Sequence, residues 1–128
     1  MKEIFHAALA ALLITPTVSN AEVFTYSCVF ETFHERDALI RHSANNFSIT
    51  FRVDSITGDA FIEGNAGISS VEVHTGDSGI TFLERIGSGA VQTTTIDFNG
   101  VASHSRHTII FQDLVPSQYY GTCNSGGS

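Results

Sequence analysis

The chain has 128 residues, of which 42% are apolar, and its thirteen acids outnumber six Lys and Arg for a net charge of -7. That apolar share is enough for a folded core and excludes a disordered polyelectrolyte. Charge of one sign disfavours nucleic acid and anionic lipid as partners and would steer a cationic one.

Residues 1–21 read as a signal peptide. Met1-Lys2 form a short n-region, Ile4 to Ile14 is apolar apart from His6, and Pro16 stops any helix. Val18-Ser19-Asn20-Ala21 then places small residues three and one positions before a cut. The apolar stretch is too short to span a bilayer, which needs about 20 residues. Cleavage would leave 22–123 as one domain and 124–128 as a flexible tail. It would remove the only Met and the only Lys, leaving five arginines (Arg36, Arg41, Arg52, Arg85, Arg106) against twelve acids, still -7. The expected location is the periplasm, with secretion into the medium as the alternative.

The remainder reads as strands. Val23 to Phe33 is an extended aromatic run with Tyr26 and Cys28 on one face. His34 to Asp37 is polar, with Glu31 to Ile40 the only stretch where a helical period is undecided. Ala38 to His42 is a short strand and Ser43 to Asn46 a turn. Phe47, Ile49, Phe51 and Val53 alternate with Ser48, Thr50, Arg52 and Asp54, the period of a half-buried strand. Thr57-Gly58-Asp59 and Asn65-Ala66-Gly67 turn the chain on either side of Ala60 to Gly64. Ser69 to His74 and Ile80 to Arg85 follow, separated by Thr75 to Gly79. Gly87-Ser88-Gly89 leads into Ala90 to Phe98. Asn99-Gly100 is the strongest hairpin signal, a two-residue type I′ turn with positive φ at both positions. Val101 to Phe111 returns antiparallel, Asp113 to Ser117 is a loop containing Pro116, and Tyr119 to Cys123 closes the domain. About eight strands on short loops predict an all-β fold: a small antiparallel β-barrel, or alternatively a two-sheet β-sandwich. In an oxidising compartment Cys28 and Cys123 are expected to form a disulfide across the whole domain.

No segment carries a recognisable catalytic constellation. Gly76-Asp77-Ser78-Gly79 has the residues of a serine-protease nucleophile segment but reads as a hairpin loop of turn-formers. His104 and His107 are three apart and so face opposite sides of a strand, and the histidines read as surface residues. Asp54, Asp59 and Glu63 read as solvated turn acids, and no metal or cofactor is expected. The polar hairpin Gln92 to Phe111 is read either as an exposed face or as a binding surface. In the second case His104 and Arg106, which share a face, are its anchors, with Tyr119 and Tyr120 beside them.

Three short segments resemble a known family. Tyr26-Ser27-Cys28, Ser88-Gly89-Ala90 and the late Cys123 are similar to the Tyr-x-Cys opening, Ser-Gly-Ala loop and closing cysteine of MliC-type periplasmic inhibitors of C-type lysozyme. The resemblance implies a small exported β-barrel closed by that cysteine pair. It also implies that the Ser88 loop, with a basic residue, enters the lysozyme cleft and engages its catalytic acids. The family's tryptophan and Lys-Gly are absent beyond residue 21. Asn99-Gly100 stands roughly where Lys-Gly would, so Arg106 would have to supply the charge.

The expected function is that of a non-catalytic exported binding protein, either a lysozyme inhibitor or another protein-binding envelope protein, with Ser88, Gly89, Ala90, His104, Arg106, Tyr119 and Tyr120 as contacts. The alternative is a carrier holding a small apolar ligand in a barrel cavity lined by residues such as Phe47, Phe51 and Phe82.

Overall fold

Alternation of apolar and polar side chains gives each strand one face to bury, and the chain buries all of them by closing the sheet on itself. The computed structural model describes residues 22–35 and 41–127; the expected signal peptide lies outside the described residues. The strands are β1 (Val23–Glu35), β2 (Arg41–Asp54), β3 (Ala60–Gly64), β4 (Gly67–Thr75), β5 (Gly79–Arg85), β6 (Val91–Asp97), β7 (Val101–Ile110) and β8 (Asp113–Gly127). Each pairs antiparallel with the next, and β8 returns to β1, giving a closed eight-stranded barrel rather than two stacked sheets.

The barrel is filled by its aromatic residues. Phe51 and Phe82 stack face to face at 4.2 Å between centroids, and Tyr26 meets Phe82 edge-on at 5.7 Å. Phe30, Ile49, Ala60, Ile62, Ile96 and Ala102 complete this core. Of the three rings expected to line a carrier's chamber, Phe51 and Phe82 are packed on each other, whereas Phe47 lies against Phe30 and Tyr119 and lines a cleft at one end of the barrel.

Closure depends on the seam between β1 and β8. Cys28 and Cys123 stand opposite one another there and are joined by the disulfide. One step along the same face, Gly121 is opposite Phe30. A Cβ at Gly121 would fall on the Val29 carbonyl oxygen and the Phe30 Cα, so only glycine lets the two strands approach this closely. Gly121→Ala is expected to destabilise the barrel by about 1–3 kcal/mol, as overpacking does; a chemical denaturation curve superimposable on wild type would refute the tight seam.

The chain departs from its sequence pattern in four places. β2 is continuous from Arg41, and Ser43 to Asn46, expected as a turn, stand opposite Glu31 alone between the pairs Thr32↔His42 and Phe30↔Phe47. Asn99-Gly100 does not form a two-residue turn. Only Gly100 has positive φ (84°), and its N–H donates to the Asp97 carbonyl at 3.0 Å. Asp97 Oδ1 accepts from the Asn99 and Val101 N–H groups, both at 2.9 Å, which stabilises a longer three-residue turn. The pair with positive φ at both positions is Phe111-Gln112, at 48° and 68°. β8 therefore begins at Asp113, where a loop was expected, and Asn124 to Gly127, expected as a tail, pair with Phe24 to Ser27.

A bulge in β1 prepares one end of the barrel. Against β8, Phe30 pairs with Gly121 and Thr32 with Tyr120, so Glu31 is an extra residue. The bulge shifts the alternation and brings Phe33 to the inner side, where it stacks on Tyr119 at 5.5 Å.

Candidate binding mouth of the barrel

Antiparallel order places the connections after β3, β5 and β7 at one end and those after β2, β4 and β6 at the other. Two rows of paired residues near the first end carry the polar groups. Phe82, Thr94, His104 and Tyr119 form one row across β5 to β8, and Glu84, Gln92, Arg106 and Ser117 form the next. Members of a row lie on one face of the sheet, here the interior.

His104 is 0% exposed, which corrects its reading as a surface histidine. Its ring is packed at 5.6–5.9 Å from the rings of Phe30, Phe47 and Tyr119. Its Nδ1 is 2.6 Å from the Thr94 hydroxyl, and its Nε2 accepts from Arg106 Nε at 3.2 Å. Because Nε2 accepts, a neutral ring must carry its proton on Nδ1 and donate it to Thr94. Burial lowers the His104 pKa to about 4, with a further contribution from the adjacent Arg106 charge. At neutral pH the imidazole is therefore an uncharged relay that orients the arginine.

Arg106 is held on three sides. Its guanidinium carbon lies 4.4 Å from the Phe47 ring centroid and 5.2 Å from that of Tyr119, while Nε is committed to His104. Arg52 and Arg85, on the outer face, are paired with Glu63 and Glu72 at 3.1 and 2.9 Å. Arg106 has no carboxylate at that range among the described residues. Its remaining N–H groups are left for the cleft at this end, which has a volume of about 350 Å³. Phe47, Ile49 and Ile62 give that cleft an apolar wall, and Glu84, Gln92 and Arg106 its polar one. A guanidinium fork can grip a carboxylate with two parallel hydrogen bonds, and rings on its faces hold it in one orientation. Both nitrogens of His104 are engaged inside the wall, so neither is available to take a proton from a molecule in the cleft.

The expected contact residues fall into three groups. His104, Arg106 and Tyr119 come together. Ser88 and Gly89 are exposed in the β5–β6 turn at the same end, where Gly89 adopts φ 95°, and Ala90 is buried beneath them. Tyr120 pairs with Ser103 and points to the outer face, away from the mouth. Thr94, which fixes His104, was missed as a site residue, and Phe47, expected only in a carrier's cavity lining, packs on Arg106; the shared parity of Gln92, Thr94 and Ile96 was the available signal for Thr94. Asn99, in the β6–β7 turn, is at the opposite end from Ser88. A second cleft of about 420 Å³ opens there, but its Asp97 carboxylate is already committed to the turn.

Comparison with protein-family models, curated proteins and solved structures finds no match to this chain.

Proposed function

We propose that the protein is an exported, non-catalytic binding protein of the periplasm, released by cleavage after residue 21, that grips an acidic group of its partner at the Arg106 mouth. The observation that carries this reading is a guanidinium fixed by His104, Phe47 and Tyr119, with no carboxylate within ion-pair distance among the described residues, although Glu84 lines the same cleft. The negative surface suits approach by a cationic protein, and Arg106 then meets a carboxylate within that protein. A C-type lysozyme, cationic and with catalytic acids in an open cleft, is the partner to which the Ser88-Gly89-Ala90 resemblance leads. Ser88 and Arg106 stand at one end of the barrel, as simultaneous entry into such a cleft requires.

The test is a calorimetric titration with C-type lysozyme, run beside a cell-wall lysis assay. Wild type is expected to bind and inhibit, and Arg106→Gln to bind ten- to a hundredfold more weakly, the scale of a lost charge-assisted pair at about 1.5–3 kcal/mol. Absence of both heat and inhibition with wild type would exclude lysozyme as the partner.

The apolar wall of the cleft supports a second reading, in which the mouth takes a small apolar ligand bearing a carboxylate. Native mass spectrometry of the purified protein distinguishes the two, since a carrier retains a ligand of a few hundred daltons and a protein inhibitor does not.

A further inference from the structure

The hairpin of β7 and β8 rises beyond the pairing of the other described strands. Pairing of β6 with β7 ends at Gln92↔Arg106, and the described pairing of β1 with β8 ends at Glu35↔Ser117. The two strands then continue together through His107↔Pro116, Thr108↔Val115, Ile109↔Leu114 and Ile110↔Asp113. At about 3.4 Å per residue this arm projects roughly 14 Å. Ile109, Ile110 and Leu114 on it are exposed, and Phe111 at its apex is 96% exposed with φ 48°. Phe111 and Gln112, both at positive φ, form the two-residue turn that closes the arm and holds the Phe111 ring at its tip.

β6 begins at Val91, so β7 beyond His107 has no β6 residue opposite it, and alternate N–H and C=O groups there face outward. The sequence along this edge, His107-Thr108-Ile109-Ile110-Phe111, is β-branched, apolar and free of acids, lysine, arginine and proline. Such an edge pairs with another strand unless something blocks it.

We propose that the arm joins two copies of this chain, the β7 edge of one pairing antiparallel with the β7 edge of the other about a two-fold axis. An antiparallel edge is self-complementary under that symmetry, so one surface serves both partners. A lipid surface would cover the side chains but leave the edge N–H and C=O groups unsatisfied, whereas a second copy satisfies both. Charge favours the same occupant. The chain carries -7 overall, and from His107 to Pro116 its only acid is Asp113, so copies meet here with the least repulsion. The interface is small, and the dimer is expected to dissociate in the micromolar range.

Sedimentation velocity of the protein as processed by its host, over a concentration series, tests this. Wild type is expected to move from the monomer mass towards twice that mass. Ile109→Lys, which sets two positive charges near the axis, should weaken the dimer at least tenfold, and Phe111→Gly should weaken it less. Circular dichroism melting reports whether each variant remains folded. A wild type that stays monomeric at hundreds of micromolar, or a dimer indifferent to Ile109→Lys in a folded variant, overturns the proposal. So does a monomeric wild type that co-sediments with phosphatidylcholine vesicles, which would make the arm a lipid anchor.

Discussion

Replacing both Cys28 and Cys123 by alanine is expected to lower the free energy of unfolding by about 4 kcal/mol, the largest loss from any change at the seam. The two residues are 95 apart in sequence, so the crosslink ties nearly the whole barrel into one loop in the unfolded chain. Loop closure of that length gives roughly 4–5 kcal/mol in the chain-entropy model. The location adds a second consequence. Barrel closure requires the first and last strands to meet, the contact of greatest sequence separation and therefore the slowest to form. With the disulfide in place, this pairing is already made when the oxidised chain refolds. The variant should accordingly refold more slowly as well as unfold at lower denaturant, both measurable in one set of stopped-flow experiments. A loss below about 1 kcal/mol with unchanged refolding would mean that the β1–β8 seam holds without its crosslink.

Acid should weaken the fold through His104, and the direction follows from its environment. The folded-state pKa is about 4, below the ordinary value of 6.5, so the unfolded chain binds the proton more readily. The stabilisation is fully present above pH 6.5 and is lost progressively as pH falls towards 4. At about 1.4 kcal/mol per unit, that interval corresponds to roughly 3 kcal/mol. Protonation would also turn Nε2 from an acceptor into a donor facing the Arg106 Nε–H, breaking the contact that orients the guanidinium. Carboxylates contribute to acid unfolding too, so the informative quantity is a difference between proteins. His104→Gln is expected to be less stable than wild type at pH 7, and the gap should close by roughly 3 kcal/mol at pH 4. Parallel stability–pH curves for the two proteins would show that His104 does not titrate in this way.

The barrel was legible in the sequence because its cause is repetitive. Phe47, Ile49, Phe51 and Val53 alternate cleanly, glycine-bearing turns recur at short intervals, and one cysteine lies near each end of the folded chain. The site was less legible because it depends on register. A two-residue turn at Asn99-Gly100 would set Thr94 opposite Ser105, whereas the three-residue turn held by Asp97 sets it opposite His104. One residue of register thus decides which polar groups meet inside, and propensity does not encode it. The same limit applies to Phe33, which faces inward only because Glu31 is an extra residue in β1. The shared face of His104 and Arg106 was visible from their spacing. Their burial was not, since a polar stretch such as Ser103 to His107 looks exposed until an aromatic box of Phe30, Phe47 and Tyr119 is seen to enclose it. Phe111-Gln112 was hidden for a related reason: a turn with positive φ at two residues, neither of them glycine, goes against local preference and is fixed by the pairing of β7 with β8.

Mapping amide chemical shifts during titration with C-type lysozyme tests most directly whether the Arg106 mouth is the binding end. The largest changes are expected at Ser88 to Gln92, Glu84 and Arg106, with Phe98 to Gly100 at the far end unmoved. Changes centred on the far end, or no change at saturating lysozyme, would contradict it.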